Sequence, residues 1–270
     1  VILATDGDFN VGISSDQELV KLIEAQRETG IFLTVLGYGM GNLKDSKLEK
    51  LANKGNGNYA YIDNLQEANK VLVEELGATL FTIAKDVKLQ VEFNPSMVKG
   101  YRLVGYENRT LEAKDFNDDK KDAGEMGAGH SVTAIYELVI SDEGIKPKVN
   151  PLKYQKNEEV SGDFSPDEFA TIKIRYKEPK ESKSKLLLMP VTGEETDLAK
   201  TSDDFRFSAA VAQFGMILSR SEFIGTSDYE NTLSLARNAK GTDLEAYRAE
   251  FTRILELASK LDSQRKTVKK

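Results

Sequence analysis

The chain has 270 residues, 40% hydrophobic and 30% charged, with 44 acidic side chains against 37 basic ones and a formal net charge of −7. That balance describes a globular chain long enough for more than one folding unit, and it disfavours non-specific nucleic-acid binding. It has no cysteine and one histidine, His130, which excludes disulfides, thiolate metal sites, cysteine nucleophiles and His-pair zinc sites.

The first element is Val1 to Thr5, a short apolar run that ends abruptly in Thr5-Asp6-Gly7. It reads as a buried strand delivering a carboxylate to its C-terminal tip, the edge at which open α/β sheets bind ligands. A buried parallel strand is an odd place for a protein to begin, so the chain reads as a fragment of a longer one. Asp8 and the turn-rich residues to Gly12 follow as a loop. Ser15 and Glu18 have capping-box spacing, Leu19, Leu22 and Ile23 share a helical face, and Gly30 is a natural stop. Ile31 to Leu36 is a second buried strand. Ser46 with Glu49 starts a second helix closed by Gly55, Tyr59 to Ile62 is a third strand, and Asn64 with Glu67 starts a third helix running to Leu80. Strand–helix units with short loops predict part of a doubly wound parallel sheet. Gly37-Tyr38-Gly39-Met40-Gly41 resembles a phosphate loop but has Asn42 in place of the third glycine and no P-loop lysine, so a strand-to-helix turn is expected.

The period changes near residue 86. Val87 to Phe93 alternates strictly, which predicts Val87, Leu89, Val91 and Phe93 on a dry face and Lys88, Gln90 and Glu92 in water. Tyr101–Tyr106, Val132–Ile140, Phe169–Lys177 and Lys185–Val191 continue as strands of an antiparallel sandwich. An acidic stretch with Asp115, Asn117, Asp118, Asp119, Asp122 and Glu125 is dense in oxygen ligands. Its EF-hand register fails at Lys120 and Met126, however, so an exposed loop is expected instead of a calcium site. His130 reads as a loop residue, and Asn157 to Asp167 as a polar loop. From Asp203 the helical period returns, with faces through Ala210, Phe214 and Leu218, through Tyr229 to Asn238, and from Leu244 to Leu261. The predicted fold is α/β: a partial doubly wound sheet over 1–85, an antiparallel β-sandwich unit over 86–200 and C-terminal helices over 201–270.

Val1 to Gly7, Ile31 to Gly39 and Gly57 to Ile62 resemble the central and following strands of a von Willebrand factor type A domain. Val91-Glu92-Phe93-Asn94-Pro95, Gly105 to Arg109, Gly127 to Ala134 and Asp204 to Ala212 look like the C-terminal region of a bacterial subfamily whose members are exported or lipid-anchored. The resemblance implies a metal-ion-dependent adhesion site holding Mg²⁺ or Mn²⁺, of which only Asp6 maps here. The Asp-x-Ser-x-Ser motif and the threonine would lie upstream of Val1. It implies a non-enzymatic module of an extracytoplasmic protein that binds a protein ligand, with the metal bound weakly or not at all by this chain alone. A scaffold with a degenerate site is the alternative, and a metal-assisted hydrolase a more distant one. No nucleic-acid partner and no transmembrane segment is expected, while the open sheet edge at Val1 to Thr5 invites self-association.

Overall fold

Ile2–Thr5 (β1), Thr34–Tyr38 (β2) and Tyr59–Ile62 (β3) form a parallel sheet in that order. They do so in a computed structural model of the chain that describes residues 1–7, 15–39, 44–106, 110–121, 123–140, 168–193 and 195–268. Leu3 stands opposite Val35, and Leu36 opposite Ala60. Asp16–Glu28 (α1) and Asp45–Lys54 (α2) make the crossovers. The apolar run of β2 is explained by cover on both faces. Val35 packs with Leu48, Leu51 and Ala52 on one side, and Leu36 with Ile62 and Val71 on the other.

The helix ends differ in part from the sequence reading. Asn64 caps its helix by accepting from the Glu67 N–H at 2.9 Å, and Gly30 follows α1 at φ +85°. Ser15 stands at the start of α1 without a side-chain cap bond, and α2 begins two residues early, with Lys44 in the cap position and Ser46 inside the first turn. Asp16 is instead paired with Lys47 at 2.6 Å, and acidic first turns complement both helix dipoles. The expected long third helix is broken into Leu65–Asn69 (α3), a π-helical turn at Lys70–Glu74 and Leu76–Leu80 (α4). The break keeps Val71 buried on the sheet and leaves Leu72 and Val73 exposed.

Beyond these lie Thr82–Phe93 (β4), Gly100–Val104 (β5), Gly124–Gly127 (β6), Ile135–Val139 (β7), Glu168–Lys177 (β8) and Lys185–Thr192 (β9). The order β6-β4-β8-β9 gives a four-stranded sheet, and β5 with β7 a two-stranded one. Pairing is antiparallel between β4 and β6 and between β5 and β7. The architecture is therefore mixed α/β, with a parallel sheet of three strands among the described residues.

The chain divides into two compact units. The first holds Val1–Glu92, Leu111–Val132 and Thr171–Pro190, and the second Phe93–Thr110, Thr133–Ala170 and Val191–Lys270. In the second unit Asp203–Ser219 (α5), Tyr229–Asn238 (α6) and Tyr247–Val268 (α7) bury Ala210, Phe214, Ala236 and Leu255. Phe251 meets Phe207 and Phe214 edge-on at 5.2 and 5.6 Å. The last helix begins at Tyr247, later than Leu244. Asp243 accepts from the Arg248 and Ala249 N–H groups, and Ala246 sits at φ +60°, so the chain turns there before the helix starts. Leu244 is left 88% exposed.

Candidate functional site at the carboxyl edge of the parallel sheet

Asp6 is the first residue past β1 and Gly39 the first past β2, and Thr5 is in register with Gly37. Gly7 makes the turn possible. It is buried at φ +93°, its N–H donates to the Thr5 hydroxyl at 3.0 Å, and a Cβ there would lie 3.1 Å from the Lys44 backbone nitrogen. The Thr-Asp-Gly sequence thus turns the chain sharply and leaves the Asp6 carboxylate exposed at the strand tips. A Cβ on Gly39 would lie 3.9 Å from that of Asp6. The Tyr61 hydroxyl donates to the Gly39 carbonyl at 2.7 Å, so β3 also reaches this edge. Three strand ends therefore converge: a carboxylate from β1, a carbonyl from β2 and a phenol from β3. Nothing in the sequence singled out Tyr61. Its spacing from Tyr59 put both on one strand, but only the register shows that Tyr61 lies opposite Gly37.

Asp8 and the end of the glycine-rich loop, Met40 and Gly41, lie outside the described residues, as do Asp122, Asn108, Arg109 and the polar stretch Asn157 to Asp167. Hard oxygen donors such as Asp6 and a carbonyl suit Mg²⁺ or Mn²⁺, and one carboxylate can serve when water fills the other positions. Among the described residues no group of three or more His, Cys, Asp or Glu side chains could hold a metal ion. Asp6 fits one ligand position, not a full set.

The acidic stretch is not a plain exposed loop. Residues 113–117 form a short 3₁₀ turn with Phe116 buried, and Gly124 to Gly127 is a strand that the sequence reading missed. Its carbonyls face lysines. The Lys88 ammonium donates to the Asp115 carbonyl at 3.1 Å and to that of Asp118, and the Lys177 ammonium donates to the Asp119 carbonyl at 2.7 Å. Lys177 also meets Asp86 at 2.6 Å, and Lys121 meets Asp115 at 3.2 Å. Hydrogen bonds from Ser184 hold the Asp119 carboxyl below the usual carboxylate range. Two ammonium groups thus hold three carbonyls of the stretch.

Lys88 overturns the expected alternation of β4. It is 2% exposed and Leu89 is 50% exposed, the reverse of the dry and wet faces predicted. The pairing of β4 with β6 shifts register between Ala84 and Val87, and Asp86 sits there at φ +50°. The inversion is confined to Lys88 and Leu89: further along, Glu92 is exposed and Phe93 packs against Tyr101 and Tyr136, as the alternation predicts.

His130 follows β6 in a turn, exposed, its N–H donating to the Gly127 carbonyl at 3.1 Å. With Thr34, Leu36, Val71 and Glu75 it lines a cavity of about 170 Å³ on one face of the parallel sheet, away from Asp6.

A family model described as the C-terminal region of the uncharacterized protein YfbK matches residues 78–261. The chain is 42% identical over 258 residues, 96% of its length, to the protein of that name from Escherichia coli strain K12. It spans 44% of that relative, less than half its length. The family match is to this region and not to a von Willebrand factor type A domain, so the resemblance drawn from the opening strands is corrected accordingly.

Proposed function

The chain belongs to the YfbK family, and from that membership, which carries no activity with it, and from the geometry above, we propose that it is a non-enzymatic protein-binding module whose contact edge is the carboxyl edge of the parallel sheet. One observation carries the reading: Asp6, Gly39 and Tyr61 bring three strand ends to the edge where open α/β sheets hold ligands. Asp6 is the residue that would hold a divalent cation there. Such an ion would supply an open coordination position for a carboxylate of a protein partner. With a single carboxylate in hand, this chain holds Mg²⁺ only weakly, and tight binding needs ligands beyond those described here. Display outside the cytoplasm belongs to the same proposal.

The test is a calorimetric titration of Mg²⁺ and Mn²⁺ into the chain and into Asp6→Ala. Weak saturable heat in the first that disappears in the second supports the reading. Equal heats in both remove Asp6 from it. The missing cluster of three acidic ligands among the described residues favours a second reading, a scaffold whose edge binds protein without metal. Under that reading neither protein gives heat.

A further inference from the structure

The last strand of the four-stranded sheet is unlike its neighbours. All eight residues of β9 are exposed, although Leu186 to Val191 are apolar without interruption. Leu186, Leu188 and Pro190 point to one face, and Leu187, Met189 and Val191 to the other. A strand apolar on both faces has the pattern of one covered on both. Here Leu188 is 61% and Met189 54% exposed, and β8 is the one sheet neighbour of β9 among the described residues. An edge of this kind offers open backbone donors and acceptors, and natural edges are usually blunted by charge. The flanks of β9 differ in net charge: Lys180, Lys183 and Lys185 with Glu178 and Glu181 come before the apolar run, and Glu194, Glu195 and Asp197 with Lys200 after it. Within the chain Lys185 pairs with Glu178 and Asp197 with Lys200.

We infer that β9 is a self-docking strand, which pairs antiparallel with β9 of a second copy of this chain about a twofold axis. The charge pattern selects both occupant and direction. Antiparallel pairing lays each basic flank against the acidic flank of the other copy, twice by symmetry, whereas parallel pairing sets like charges together. The paired segment is about 26 Å long, eight residues at a strand rise of about 3.3 Å. Pro190 has no N–H, so the paired ladder lacks one donor from each copy. This contact differs from self-association through the Val1 to Thr5 edge, because it uses the opposite class of sheet and other residues.

Sedimentation equilibrium on the whole chain tests it, with circular dichroism as a check on folding. The wild type sediments as a dimer, and Leu188→Asp as a monomer with an unchanged spectrum. Lys183→Glu weakens dimerisation by roughly tenfold, and Lys183→Glu combined with Glu195→Lys restores it to within about threefold. The charge swap leaves the apolar strand intact, so it decides the matter even where Leu188→Asp disturbs folding. A monomeric wild type overturns the inference. So does a swap that fails to restore the dimer, or a dimer that survives Leu188→Asp and is lost in Ile2→Asp.

Discussion

At the scale of single residues, two side chains show how burial decides meaning. Lys88 is buried because loop carbonyls replace the water its ammonium gives up. Lys88→Met keeps the volume and strands the Asp115 and Asp118 carbonyls, so it should lower stability by about 2 kcal/mol in urea unfolding. Tyr59 donates its hydroxyl to Asp45. Burial first, and then the Asp45 carboxylate, push its pKa above the ordinary tyrosine value. The neutral phenol is the favoured form, so its contribution is complete below the unfolded pKa of about 10 and is lost as pH rises through the higher folded value. Tyr59→Phe should therefore remove a late component from the alkaline absorbance titration of the ten tyrosines.

At the scale of elements, the close approach of the turn between α2 and β3 to the chain entering β2 depends on glycine. A Cβ on Gly57 would run into the Leu33 carbonyl, whereas one on Gly124 would meet open space. Gly57→Ala should cost about 3 kcal/mol or more in chemical unfolding, while Gly124→Ala stays within about 0.5 kcal/mol. The same elements show what the sequence made legible. Apolar runs marked β1, β2 and β3, and the stripe through Ala210 and Phe214 marked α5. Cover on both faces holds for β2, whereas β1 is not the buried strand expected, since Ile2 and Ala4 are exposed. The inversion at Lys88 and Leu89 was not legible. The irregularity at Asp86 leaves no trace in an alternating sequence, and a buried lysine reads as a wet one until its carbonyl partners are known. Asp6 was legible as a strand-tip carboxylate, since a turn glycine follows an apolar run. Gly39 and Tyr61 were not, because strand register alone brings them to the same edge.

At the scale of the whole molecule, a net charge of −7 is unevenly used. In the first unit Lys88 and Lys177 donate to carbonyls of the stretch from Asp115 to Asp119, and Lys121 pairs with Asp115. On the proposed function an added divalent cation goes to the sheet edge at Asp6 and not to this stretch, the richest in carboxylates. Paramagnetic broadening of backbone amide resonances by substoichiometric Mn²⁺ tests this most directly. The account predicts that Asp6, Gly7, Gly39 and Tyr61 broaden first and that Asp6→Ala abolishes the effect. Broadening that begins at residues 115–121 and survives Asp6→Ala would contradict it.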